Sequence, residues 1–283
     1  MDTVKVDLRT RSDLYGAYYY AHDCGRPYQR DDEWLRSFGS IADRIVRDVN
    51  PGTMLDAGCA MGFLVESLRD RGVDCFGVDV SNYAIQNVRQ DIQPYCRVGL
   101  VTDPFPQKYD LVTCIEVLEH LPPLESELAV ENLCRHTDDI LFSSTPFDHK
   151  EATHFNVQPP EYWAELFARQ GFFRDIDFNA SFITPWAALF RRRKDPFHRI
   201  VREYERKFWS LWKENVDLHQ AAFEMQNRLA AADPNMATEQ VQQKHDDRDA
   251  EITRLRELVA GYESGRFIRL VRRVSEWWGR IVG

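Results

Sequence analysis

Between residues 50 and 193, short apolar runs alternate with amphipathic stretches. "TMLDAG", "DCFGVDV", "YDLVTCIEV" and "DILFSSTP" are short, rich in β-branched or aromatic residues and bounded by turn formers, which predicts strands. Between them, "FLVESLRDRG", "NYAIQNVRQDI" and "LESELAVENLCRH" carry helical spacing, the first closed by Gly72. Strand and helix in alternation predict an α/β fold, a doubly wound parallel sheet with helices on both faces. A later helix, "PPEYWAELFARQGF", opens at prolines and ends at Gly171. "FRDIDFN" and "PWAALFRRR" then read as closing strands suited to antiparallel pairing.

Beyond Pro196 the pattern changes. Val201, Tyr204, Phe208, Leu211, Asn215, Leu218, Ala222, Met225 and Leu229 recur at alternating steps of three and four, the spacing of a coiled-coil seam. "AADPNMAT" breaks the seam near residues 233–236, and a second helix continues through Ile252, Leu255 and Val259 to Gly261. So polar a remainder favours pairing between helices, either between chains or within one chain folded at Pro234, over a helix packed back on the α/β domain. Asn215 on the seam fixes register at a cost in stability. In residues 265–283, Phe267, Leu270, Val271, Val274, Trp277, Trp278 and Ile281 fall on one side, flanked by Arg266, Arg269, Arg272, Arg273 and Arg280. Such a basic amphipathic helix suits an anionic membrane surface, or the capping of a coiled coil. The expected organisation is an α/β domain over 1–195, coiled-coil helices over 196–264 and the basic helix over 265–283.

At 283 residues with 43% apolar and 29% charged positions, the chain can bury a large core. No stretch approaches the roughly 20 apolar residues that span a bilayer, and the first residues lack the apolar segment of a secretory signal, so a cytoplasmic protein is expected. Six widely spaced cysteines without a C-x-x-C pair predict buried reduced thiols. A net charge of −9 gives no global attraction to nucleic acid, and no nucleic-acid partner is expected.

The chemistry starts at "LDAGCAMGFL". A strand ending in Asp56, followed by Gly58 and by Gly62 at a helix start, lets a ligand lie against bare backbone and free N–H groups. The glycines do not form G-x-G-x-x-G, the fingerprint of dinucleotide sites. Asp79 ends the next strand in "FGVDVS", where a carboxylate can take both hydroxyls of a ribose. The implied ligand is a nucleoside with a small charged tail.

These residues, with "YDLVTCIEVLEHLPP", resemble the class I S-adenosylmethionine-dependent methyltransferases over roughly residues 12–193. The resemblance implies S-adenosyl-L-methionine as cofactor in a Rossmann-like methyltransferase sheet. Asp56, Gly58, Cys59 and Gly62 would line its methionine and ribose side, Asp79 and Val80 the ribose, and the backbone from Cys114 through Ile115 to Glu116 the amino group. Many relatives carry an acid after the third strand, where "VGLVTDPF" places Leu100 and Val101; apolar contact from Val101, or Asp103, would meet the adenine instead. "YYYAHDCGRPYQRDDEWLRSFGSIADRIV" resembles the N-terminal lid of bacterial methyltransferases of polysaccharide and glycolipid assembly, so residues 1–50 are expected as lid helices with Tyr18, Tyr28 and Arg30 closing over the site. "ATHFNVQPPEYWAELFARQGF" resembles the segment those enzymes carry after the fifth strand.

Methylating a hydroxyl requires removal of its proton. "EVLEHL" puts Glu116, Glu119 and His120 on one face if it forms a helical turn, and "STPFDHKEATHFNV" brings Asp148, His149, His154 and Asn156 to the same rim. His120, His154 and Glu116 are the expected catalytic groups. Glu116, Glu119, His120 and His154 also resemble the ligand set of magnesium-dependent methyltransferases acting on the 2′-hydroxyl of small RNAs, although E-x-x-E-H also occurs in metal-free relatives of the ubiquinone pathway. No resident metal is expected. The favoured acceptor is a hydroxyl of a glycan or lipid-linked saccharide, handled by a homo-oligomer held through its coiled coil near the inner face of the membrane. The alternatives are a small-molecule acceptor of quinone or natural-product type, an RNA 2′-hydroxyl with a metal, and a non-catalytic assembly subunit.

Overall fold

Apolar runs with little alternation become strands where both faces of a sheet are covered. In the computed structural model, which describes residues 12–232 and 252–253, the runs form β1 (Thr53–Ala57), β2 (Asp74–Asp79), β4 (Leu111–Ile115) and β5 (Asp139–Ser143). A short β3 (Cys96–Val98) joins them, and β6 (Phe172–Arg174) and β7 (Ala188–Arg192) close one edge. The order is β3-β2-β1-β4-β5-β7-β6, with the first five strands parallel and β7 antiparallel to both its neighbours. The sheet is therefore mixed rather than wholly parallel, and the closing strands are the antiparallel pair their sequence suited. Along β1, Leu55 and Ala57 join one core with Val112, Phe142, Trp163 and Phe167. Met54 joins the other, with Leu68, Cys75, Leu111 and Leu141.

Helix α1 (Ala17–His22) precedes α2 (Asp32–Asp48), whose start is fixed by Asp31: its carboxylate accepts from the Glu33 and Trp34 N–H groups. Ile41, Ala42 and Ile45 of α2 enter the same core as Leu64, Val65 and Leu68 of α3 (Phe63–Arg69). Within the stretch expected as lid helices, α2 is a layer of the core, because its apolar stripe is buried beside α3. The helix predicted from "NYAIQNVRQDI" is only α4 (Asn82–Gln86); it stops at Asn87, whose side-chain amide donates back to the Tyr83 carbonyl. On the opposite face lie α5 (Pro123–His136) and α6 (Pro160–Arg169). All six cysteines are free thiols.

The chain divides into units Met1–Tyr204 and Glu205–Gly283. The start of the seam region is a continuous helix, α7 (Phe197–Ala232). The break near 233–236, most of the second seam helix and the basic segment 265–283 lie outside the described residues. None of the described helices is long and apolar enough to cross a membrane.

Candidate active site

The chain runs outward from β1 to β2 and β3 on one side and to β4 and β5 on the other. Ligands of open α/β sheets bind beyond the carboxyl ends of the strands where the order reverses, here between β1 and β4. At that point Gly58 has φ +92° and Gly62 φ +72°. A Cβ on Gly58 would come within 2.2 Å of Val117 Cγ2, and one on Gly62 within 3.3 Å of Cys96 Sγ and Val88 Cγ1. Packing inside the protein thus already demands glycine at position 58, before any ligand is considered, while at Gly62 it is chiefly the positive φ that favours glycine. The Gly58 and Cys59 N–H groups both donate to the Val78 carbonyl, at 2.7 and 3.1 Å, tying the loop to β2.

Two acids stand at the ends of the adjacent strands. Asp56 accepts from the Thr113 hydroxyl at 2.7 Å, and burial, with the nearby Asp79 charge, pushes it up to about 7. Asp79 accepts from the Ala60 and Ser81 N–H groups, each at 2.8 Å, and burial raises it too. No described cation acts on either carboxyl. A ligand bringing positive charge and vicinal hydroxyls fits this pair, as S-adenosylmethionine does with its sulfonium, ammonium and ribose.

Tyr28 reaches the same place: its phenol is raised by burial and then by Asp56, and its ring stacks on Phe63 at 4.9 Å. Arg30 points elsewhere, its Nη2 lying 2.6 Å from Glu66 Oε1 on α3. Val80, just after β2, and Ile115, the last residue of β4, are half-buried, Cys59 is buried in the loop, and Val101 is buried with its carbonyl accepting from Asn132 Nδ2 at 2.9 Å. Asp103 is exposed. Tyr18 is 72% exposed and stacks on His22. It is its neighbours Tyr15 and Tyr19 that turn inward, with ring centroids 5.7 and 6.1 Å from that of His120.

"EVLEHL" does not place its three groups on one helical face. Glu116 follows β4 directly at φ +52°, and Leu118–His120 forms a single 3₁₀ turn. Glu116 Oε1 accepts from the Ser143 hydroxyl and, at 3.0 Å, from Trp186 Nε1. Glu119 is fully buried; burial and the Glu116 charge raise it well above the carboxylate range, and its Oε2 has no partner. His120 Nδ1 donates toward the Thr153 carbonyl and hydroxyl oxygens at 3.2 and 3.0 Å. Burial, then the neighbouring His154, lowers it to about 4, so it is neutral at pH 7 with Nε2 unprotonated.

His154 is the opposite case. Burial alone would lower it, but Nε2 lies 3.0 Å from Glu151 Oε2 and Nδ1 donates to the Asp148 carbonyl at 2.8 Å, and it rises to about 9. The two imidazoles lie 4.6 Å apart between centroids. His149 and the Asp148 side chain are exposed. Asn156, expected at the rim, is instead an internal pin: its amide donates to Ser126 Oγ at 2.9 Å and its N–H to the Glu119 carbonyl at 2.9 Å. Sequence reasoning missed Glu151, three residues before His154 in the quoted stretch, and Trp186, whose apolar strand context gave no signal of a polar role.

Of the four groups that resembled a metal set, Glu119, His120 and His154 offer ligand atoms within 4.8 Å of one another; Glu116 is outside that group. Asp148, Glu151 and His154 form a second such trio among the described residues.

The reversed strand order, the glycine turn and the paired strand-end acids define a class I S-adenosylmethionine-dependent methyltransferase. The chain belongs to the family whose model, described as a methyltransferase domain, matches residues 28–173. Among curated relatives, the ubiquinone biosynthesis O-methyltransferase of Neisseria meningitidis serogroup C is 27% identical over 166 residues, 47% of this chain and 70% of the relative. Its namesake from Saccharophagus degradans is 32% identical over 118 residues, 38% of this chain and 50% of the relative. Among solved structures, the magnesium protoporphyrin IX methyltransferase of Synechocystis PCC 6803 with bound SAH shares the fold. Its TM-score is 0.52 at 18% identity, over 66% of this chain and 100% of that one.

Proposed function

We propose that this methyltransferase acts on a hydroxyl of a small aromatic acceptor of the quinol or polyphenol type, with His120 as the proton acceptor. The observation that carries the reading is the setting of His120: a neutral imidazole at the carboxyl end of β4, ringed by Tyr15, Tyr19 and His154. A planar acceptor meets aromatic faces there, with one base among them. The names of the curated relatives point to the same acceptor class. The saccharide acceptor that the N-terminal segment suggested finds no support among them.

When bound, S-adenosylmethionine supplies an electrophilic methyl group on sulfur. Asp79 would hold the ribose and Asp56 the charged tail, while Tyr28 and the rings around His120 exclude water. His120 Nε2 takes the hydroxyl proton, and donation from Nδ1 to Thr153 holds the imidazole in the required tautomer. His154 has both ring nitrogens committed as donors, so of the two histidines expected as bases only His120 has a lone pair to offer. The fixed His154 cation also keeps His120 unprotonated at rest.

The test is transfer of labelled methyl from S-adenosylmethionine by the full chain to a panel of catechols and quinols, lipid-linked saccharides and short RNAs, with and without chelator. Label in the catechols or quinols at a rate indifferent to chelator is the expected result. Label confined to saccharide or RNA overturns the acceptor class. Loss of all transfer in chelator makes Glu119, His120 and His154 ligands and removes His120 as base.

A further inference from the structure

Helix α7 carries a second apolar seam beside the heptad seam from Phe208 to Leu229. Trp209, Trp212, Val216 and Phe223 each follow a position of that seam by one residue, with His219 and Gln226 taking the remaining places of the offset row. At about 100° per residue the two seams together cover an arc of about 160°. The large apolar side chains of both seams between residues 208 and 229 are 45–67% exposed. Trp209 and Trp212 stack at 5.1 Å with an interplanar angle of 27°, making a flat aromatic plate. The other side of the helix satisfies itself: Lys213 pairs with Asp217 at 2.7 Å, and Gln220 donates to Glu224 at 2.9 Å.

The exposed area decides what this face is for. A large side chain offers ~150–250 Å² when fully exposed, so the half-exposed side chains of both seams present on the order of 1,000 Å². That exceeds the ~300–600 Å² of the largest apolar patch on a typical monomer. It matches the ~800 Å² each partner buries in a stable complex. A two-stranded coil needs only one seam, whereas a helix with two adjoining seams has two helical neighbours. Asn215 on the seam meets its own equivalent where copies pack about a symmetry axis, which offsets the cost of burying its amide.

We propose that residues 208–229 are a self-association surface, on which a second copy of this chain packs within a bundle of at least three helices. The surface is independent of the acceptor at the methyl-transfer site. Sedimentation equilibrium of the full chain at micromolar concentration tests it, alongside Leu218→Glu in the first seam and Trp212→Glu in the second. Both positions are exposed, so helix content by circular dichroism and cofactor affinity are expected to stay unchanged. The wild type is expected to associate, and each substitution to weaken association by at least about tenfold. A monomeric wild type overturns the proposal, whether the face is then covered by the chain's own residues or binds anionic vesicles. Dissociation by Leu218→Glu with no effect of Trp212→Glu overturns the second seam.

Discussion

Gly58→Ala tests why the turn after β1 is built from glycine. The new methyl sits at φ +92°, where an L residue costs about 1–2 kcal/mol. It also falls 2.2 Å from Val117 Cγ2 and 3.1 Å from Cγ1, an overlap that must be relieved by moving Val117 or the loop. Overpacking of this kind costs about 1–3 kcal/mol, giving about 2–5 kcal/mol in all. The two contributions separate in a double-mutant cycle. Val117→Ala removes both γ-methyls and leaves only its Cβ, 3.2 Å from the new one. The coupling energy should therefore recover the steric part, about 1–3 kcal/mol, and leave the backbone part in place. Urea denaturation of the four proteins measures it. Calorimetric titration with S-adenosylmethionine should show weakened binding for Gly58→Ala, since Val117 adjoins Glu116 at the same strand end. A cost below about 0.5 kcal/mol with no coupling refutes the reasoning and leaves a ligand as the sole reason for the glycine.

Asp79→Ala should weaken S-adenosylmethionine binding by about 10- to 100-fold, the loss of a charged hydrogen-bond acceptor, with helix content intact; equilibrium titration and circular dichroism check both halves. Trp186→Phe keeps a ring but removes the N–H that donates to Glu116 at 3.0 Å; kcat on a catechol acceptor should fall about tenfold with cofactor Kd unchanged, and an unchanged kcat would make that bond incidental. His154 is raised from 6.5 to about 9 by Glu151. The pair therefore contributes its full stability between about pH 4.5, the ordinary value from which Glu151 is lowered, and pH 6.5, and loses it as pH rises through about 9. The difference in unfolding free energy from urea denaturation between wild type and Glu151→Gln should shrink from pH 6.5 to above 9, from about 1–3 kcal/mol towards zero; a difference flat with pH removes the ion pair.

The strands other than the short β3, the glycine turn and the order Asp56, Gly58, Gly62, Asp79 were legible along the chain because each depends on its neighbours in sequence. A run buried on both faces must be apolar throughout, and a turn at positive φ selects glycine. That residues 197–232 form a helix was legible for the same reason, since a three-and-four period is a local property of a helix. The extent of α2 as core rather than lid was not local: its apolar stripe reads alike whether it lies against a sheet or over a site. Nor was the chemistry of the histidines. His120 and His154 are equivalent as letters, yet one is held neutral through Thr153, 33 residues away, and the other is held as a cation by Glu151 and the Asp148 carbonyl. Glu116 is fixed by Trp186, 70 residues further on. Sequence alone determined the sheet and the kind of cofactor, because backbone periodicity and turn geometry are short-range. Tertiary structure alone decided which groups are charged, paired or available, because burial and charge act through space between residues the chain keeps far apart.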